Sequence, residues 1–186
     1  MCSLRATSAT WISTDAPDRP PPSVLQVAGE GARGVLSFLS LSKRSGMTGY
    51  RSGAVVGDAE AIERLYRLRT STGTAPTEFV QAGAVIAWSD DAHVAERRAV
   101  FAAKRRVLRE VLEGAGVEVV GSRAGLYLWL ATTEDDVALA GRLLDAGVIV
   151  TPGSIFGSRG VGHIRLALVP SLEECERAAP ALAALL

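Results

Sequence analysis

The sequence predicts an α/β chain in two parts, and three observations carry that reading. Short apolar runs bounded by glycine or proline alternate with segments that repeat apolar residues at helical spacing. One long polar helix, Asp91 to Ala115, separates an earlier stretch from a later one. The later stretch, roughly 70 residues of short strands and helices, is within normal domain size. Hydrophobic residues make up 48% of the chain, enough for a sizeable core.

Residues 1 to 23 read as irregular, because Asp15-Ala16-Pro17-Asp18-Arg19-Pro20-Pro21-Pro22 fits neither a helix nor a central strand. Val35 to Ser40 is a strand, and Arg51 to Val56 is a second, ended by Gly57-Asp58. Ala59 to Arg69 is an amphipathic helix with Ile62, Leu65, Tyr66 and Leu68 among charges, and Asp58 is its N-cap. Ser71 to Pro76 is a loop. A small-residue helix runs from Pro76 or Thr77 through Ala87, suited to close packing inside or at an interface.

The long helix starts at a cap on Asp90 or Asp91 and stops at Gly114 and Gly116. Its basic run, Arg97, Arg98, Lys104, Arg105, Arg106 and Arg109, is interleaved with Glu96 and Glu110 and reads as a solvated face. Val117 to Val120 and Leu126 to Leu130 are strands. Thr133 to Asp145 is a helix capped by Thr132 or Thr133, with Glu134-Asp135-Asp136 favouring its dipole. Val148 to Thr151 is a strand, Gly153 to Gly162 a mobile glycine-rich loop, His163 to Val169 a strand, and Ser171 to Leu186 a final helix.

Twenty basic and 20 acidic residues cancel to zero net charge, which removes the electrostatic reason to expect nucleic acid or an anionic membrane as partner. No window is long and apolar enough to span a bilayer, and Met1 to Thr10 lacks the apolar core of a secretory signal, so the expected compartment is the cytoplasm. Cys2 and Cys175 lie far apart without Cys-x-x-Cys spacing and read as reduced thiols. His93 and His163 have no companions at metal-ligand spacing, so no metal is expected.

The chemistry concentrates in Ser40-Leu41-Ser42-Lys43-Arg44-Ser45-Gly46-Met47-Thr48-Gly49-Tyr50-Arg51-Ser52-Gly53. Lys43 follows a buried strand and is framed by hydroxyls, glycines and the cation Arg51. Hydroxyls, backbone N–H groups freed by glycine and an arginine fork are the parts of a phosphate site. A lysine beside such a site is placed to bond a phosphorylated aldehyde, since burial or a neighbouring cation leaves a nucleophilic neutral amine.

This stretch resembles the lysine signature of the class I/II aminotransferases, the fold-type I enzymes that use pyridoxal phosphate. Ser40, Leu41, Ser42, Lys43, Gly46, Met47, Gly49, Arg51 and Gly53 match; Ser52 departs, standing where the family usually has an apolar or small aliphatic residue. The resemblance extends from about Pro21 to the end through Gly125-Leu126-Tyr127-Leu128-Trp129-Leu130, Val148 to Phe156 and His163-Ile164-Arg165-Leu166-Ala167. It implies the C-terminal part of that fold: the end of the large-domain sheet over 24–90, a connecting helix over 91–116, and a small α/β domain over 117–186. Arg69 to Pro76 and Ala87 to Val94 most resemble bacterial N-succinyldiaminopimelate aminotransferases, which implies lysine and cell-wall precursor synthesis.

The resemblance implies further that Lys43 is the cofactor-bonding and catalytic residue. Ser40, Ser42 and Arg51 would hold the cofactor phosphate. Arg165 would grip the substrate carboxylate, with amino acids and 2-oxo acids as substrates and a homodimer as the complete enzyme. Read on periodicity alone, Arg165 is an edge-strand arginine facing solvent, and Arg51 a surface arginine opening a strand. In the family an Asp-x-x-Tyr pair precedes the lysine by roughly three dozen residues and keeps the pyridine nitrogen protonated. Here that region is Leu4 to Trp11, and the first aspartate is Asp15. The expectation is therefore a truncated form; the alternatives are a catalytically incompetent or non-enzymatic remnant, or another pyridoxal-phosphate reaction such as a lyase or decarboxylase.

Overall fold

A computed structural model describes residues 22–186. The irregular segment expected over 1–23, the Leu4 to Trp11 region, the Met1 to Thr10 leader reading and Cys2 lie outside the described residues, except that Ser23 caps a short helix. The chain is mixed α/β and divides into two compact units, one up to Arg97 and one from Arg98 to Leu186.

In the first unit a one-turn helix, α1 (Val24–Val27), is closed by a reciprocal capping box between Ser23 and Gln26. Strand β1 (Leu36–Ser40) pairs antiparallel with β2 (Gly53–Gly57), placing Leu36 opposite Gly57 and Ser40 opposite Gly53. Between them lie the one-turn helix α2 (Leu41–Arg44) and a 3-10 turn, Thr48–Tyr50. Helices α3 (Ala59–Thr72) and α4 (Glu78–Ser89) follow. Asp58 caps α3 as expected: one carboxylate oxygen accepts from the Glu60 and Ala61 amides and the other from the Gly34 amide at 2.6 Å. The Gly34 bond leads in holding this carboxyl below its ordinary range. Leu41, Ala84 and Ala87 are buried together with Met47 and Trp88 against them, so the alanines let α4 approach α2. The other side of α4 stays open: Phe79 is 74% and Ile86 71% exposed.

The strand expected over Arg51 to Val56 begins two residues later. Arg51 adopts a left-handed conformation (φ 50°) at the end of the 3-10 turn, and pairing starts only at Gly53. Nor does a strand run into Lys43. The Leu41 amide bonds to Ser52 O at 3.1 Å, and Leu41 O accepts from the Ser45 and Met47 amides, so the chain coils at once into α2.

Helix α5 (Ala92–Gly114) carries the boundary between the units. Its basic run is not all solvated, which corrects the sequence reading. Lys104 is 6% exposed and Arg105 fully buried. Arg105 donates to Ser122 O at 2.5 Å and also to Gly125 O. Those two carbonyls belong to the turn entering β3 (Tyr127–Ala131), where Gly121, Ser122 and Gly125 all have positive φ. Three strands form the second unit's sheet in the order β3, β5 (His163–Ala167), β4 (Thr151–Pro152), all antiparallel. Leu128, Leu130, Ile164 and Leu166 make its buried face. Helices α6 (Asp136–Asp145) and α7 (Leu172–Leu185) complete the unit and bury Leu139, Leu143, Cys175, Ala179 and Leu182. Burial pushes the Cys175 thiol up.

Three more expectations shift here. Val117 to Val120 contributes only a bridge from Val119 to Leu130, and of Val148 to Thr151 only Thr151 is in a strand, the two-residue β4 that it shares with Pro152. Helix α6 starts three residues late because Asp135, not a threonine, accepts the Val137 and Ala138 amides. Among the described residues no helix is long and apolar enough to cross a membrane, and no cluster of His, Cys, Asp and Glu fits a metal ion.

Two stability predictions follow from the packing. Arg105→Met keeps most of the volume but strips the donors from Ser122 O and Gly125 O; a loss of about 1.5 to 3 kcal/mol is expected in urea unfolding, and an unchanged midpoint would refute the anchoring role. At Gly53 a Cβ would collide with Leu39 O across the ladder. Gly53→Ala is therefore expected to cost roughly 1 to 3 kcal/mol, as overpacking does, and wild-type stability would show that the strands can move apart.

Candidate active site

The first cluster is the 41–52 loop, closed at its base by β1 and β2. Ser40 ends β1; Ser42 and Lys43 follow on α2; Arg51 stands two residues before the Gly53 that pairs with Ser40. The sequence-predicted lysine, serines and arginine are thus brought onto one short closed loop. Ser40, Ser42 and Lys43 are half-buried and Arg51 is exposed. Lys43 has no hydrogen bond or ion pair among the described residues. One guanidinium nitrogen of Arg51 donates to Thr48 O at 3.2 Å, which ties the fork back to its own turn.

Arg44, Ser45 and Gly46, which follow Lys43, meet the end of α4 and the first turns of α5, and sequence reasoning missed these contacts. Arg44 donates to Ala87 O at 2.5 Å and Asp90 O at 3.2 Å, pairs with Asp91 at 2.5 Å, and lies over the Trp88 ring. His93 bridges, with Nδ1 at 2.8 Å from Asp90 and Nε2 at 2.9 Å from Ser45 Oγ. That contact leads in holding the Asp90 carboxyl below its ordinary range. Gly46 admits Arg97, whose guanidinium would come within 2.9 Å of a Cβ at that position. Arg44 lies more than 40 residues from its partners and His93 48 from Ser45, so no local pattern announces these contacts.

The second cluster is the half-exposed face of the second unit's sheet. Arg165 lies on β5, the central strand, between Trp129 on β3 and Thr151 on β4. The edge-strand reading is corrected accordingly. Alternation puts Tyr127, Trp129, His163 and Arg165 on one face. The guanidinium carbon lies 4.3 Å from the Tyr127 ring centroid and 4.6 Å from that of Phe156. Trp129 meets Phe156 edge-on at 5.8 Å and stacks on His163 at 5.4 Å. Arg165 Nη2 reaches Thr151 Oγ1 at 3.4 Å, while Nε is buried with no partner. Stacking fixes the plane of the fork and leaves its N–H edge available to a planar anion.

The glycine-rich loop before β5 is coiled. It forms two 3-10 turns, Gly153–Phe156 and Ser158–Gly160, whose glycines touch backbone to backbone and leave no room for a Cβ at either Gly153 or Gly160.

Comparison with known proteins supplies the family. The model for aminotransferase class I and II matches residues 10–182. A 4-dedimethylamino-4-oxo-anhydrotetracycline transaminase of Streptomyces rimosus is 42% identical over 167 residues, covering 89% of this chain and 46% of that protein. An LL-diaminopimelate aminotransferase of Aquifex aeolicus is 37% identical over 84% of this chain and 42% of its own length. Among solved structures, an aminotransferase of Neisseria meningitidis superposes with a TM-score of 0.89 at 33% identity, over 98% of this chain and 48% of the other. A probable N-succinyldiaminopimelate aminotransferase of Thermus thermophilus gives 0.85 at 28%, over 98% and 49%. The chain spans less than half the length of each of these relatives. A match of this extent, over both clusters, settles the family: the chain belongs to the class I and II aminotransferases, which depend on pyridoxal phosphate.

Proposed function

We propose that this chain carries the lysine and the carboxylate-binding arginine of a pyridoxal-phosphate-dependent transfer of an amino group between an amino acid and a 2-oxo acid. The observation that carries the reading is the β1–β2 register, which gathers Ser40, Ser42, Lys43 and Arg51 on one closed loop. The donors fit the cofactor: two half-buried hydroxyls and an exposed guanidinium suit a phosphate, and an unengaged amine suits an aldehyde. When bound, pyridoxal phosphate supplies the electron sink that acidifies the Cα–H of the amino acid. Ser40, Ser42 and Arg51 hold the phosphate. Lys43 holds the cofactor between turnovers and, released, takes the proton at Cα and returns it. Arg165 binds the α-carboxylate with two parallel hydrogen bonds and so orients the Cα–H. The unit up to Arg97 corresponds to the end of the large domain, and the later unit to the small domain.

For the substrate we favour an amino acid of the diaminopimelate type, on the names of two of the relatives, and 2-oxoglutarate is the acceptor we pair with it. The Streptomyces rimosus transaminase supports a second reading, amino transfer to a cyclic ketone. Keto-acid-dependent turnover of N-succinyl-diaminopimelate against an anhydrotetracycline ketone separates them, and ammonia or carbon dioxide release without transfer would favour a lyase or decarboxylase instead.

The chain has two lysines, Lys43 and Lys104, and Lys104 is buried with its amine toward Leu168 O. Borohydride reduction with pyridoxal phosphate should therefore label Lys43, and Lys43→Ala should abolish the labelled peptide. Label on Lys104, or label unchanged in the variant, would overturn the assignment. Arg165→Ala should weaken carboxylate substrates by roughly 1.5 to 3 kcal/mol, ten- to a hundredfold, while leaving amines without a carboxylate nearly unaffected. Equal losses for both classes would remove Arg165 from the substrate site.

A further inference from the structure

Arg165 is held by rings more than by hydrogen bonds, so whatever fixes the rings fixes the fork. Tyr127 is set by the β3–β5 ladder, opposite Ala167. Phe156 is on no strand. It ends the Gly153–Phe156 turn and is 50% exposed, so its own burial does not place it. The turn itself is anchored from α6: Asp136 Oδ2 accepts the Ser154 amide at 2.7 Å. Asp136 is 3% exposed, although Asp135 already caps the helix, so capping does not account for a buried carboxylate there. The Ser154 backbone and side chain lead in holding its carboxyl below the ordinary range, and the Gly153 amide adds to them. Among the described residues, the outside donors to this carboxylate are on the turn. A buried charge is costly unless such bonds compensate it, and here they all act on the segment that delivers Phe156 to Arg165.

We propose that Asp136 is a positioning residue for the substrate carboxylate: it clamps the Gly153–Phe156 turn so that the Phe156 ring fixes the plane of the Arg165 guanidinium. The proposal rests on the carboxylate-binding reading of Arg165. Released from the clamp, the turn lets Phe156 leave the guanidinium, and the fork loses one of the two rings that orient it. The effect falls on carboxylate affinity through Phe156, not on the Lys43 loop.

The test uses the full chain with Trp11→Phe and Trp88→Phe, which leaves Trp129 as the reporter. Trp129 meets the Phe156 ring, so Asp136→Asn should shift its emission; a role confined to the start of α6 would not. Affinity for 2-oxoglutarate, measured by calorimetry with its dimethyl ester as control, should fall about tenfold in Asp136→Asn, the size of one lost charge-assisted hydrogen bond. Phe156→Leu should fall similarly, and the double variant no further than Phe156→Leu alone, since one acts through the other. Thermal unfolding of each variant identifies any that fails to fold, and Asp136→Glu, which keeps the charge, should recover part of the affinity. Wild-type affinity in Asp136→Asn, or full additivity in the double variant, overturns the proposal. A parent chain that does not prefer 2-oxoglutarate to its diester refutes the Arg165 reading, and this proposal with it.

Discussion

The closeness of β1 and β2 is the constraint on which the lysine loop depends. Their backbones approach until a side chain at Gly53 would meet Leu39 O, and one at Gly57 would meet Val35 O. Glycine at both ends makes the ladder tight, and the tight ladder brings Ser40 and Gly53 opposite each other. The intervening residues then have a short gap to close. They do so by coiling: Leu41 O accepts two amides, Gly46 and Arg51 take positive φ, and the chain returns to Ser52. A looser ladder would leave Lys43 and Arg51 on a wandering loop with no fixed spacing.

The second unit solves a different problem with the same economy. Strand alternation separates a dry face of Leu128, Leu130, Ile164 and Leu166 from a half-exposed face that carries Arg165. A cation on a central strand cannot reach bulk water as easily as one on an edge. Tyr127 and Phe156 offer it ring faces instead, which attract a guanidinium without using its N–H groups. The arginine is thereby oriented by its faces, and Nη2 to Thr151 Oγ1 is the one hydrogen bond its fork makes among the described residues.

Much of this was legible in the sequence. Local signals were read well: Asp58 caps its helix, Gly114 ends the long one, and the spacing from Ser40 to Gly53 marks the lysine loop. The misread cations share a cause, partners distant in sequence. Lys104 and Arg105 look like members of a solvated run, but Ser122 O, Gly125 O and Leu168 O take their donors 17 to 64 residues later. The acids at 134–136 look alike at a helix start. Glu134 pairs with Arg142, Asp135 caps, and Asp136 turns inward to Ser154. Periodicity assigns faces, yet it does not reveal which turn comes to lie beside a face. Phe156 read as part of a glycine-rich loop because the contact between Gly153 and Gly160 is formed by backbone, which leaves no side-chain pattern.

The distribution of cations bears on the chemistry as directly as their geometry. All basic residues but two are arginine. Arginine stays protonated at any working pH, so it binds anions without competing as a nucleophile. Side-chain amine chemistry is thereby confined to Lys43 and Lys104, and burial against Leu168 O and the Phe101 ring takes Lys104 out of contention. Lys43 is half-buried and unengaged on a loop whose other polar groups suit a phosphate. Selectivity for one amine therefore follows from composition and burial together, and it would survive even a cofactor that reacts with any accessible lysine.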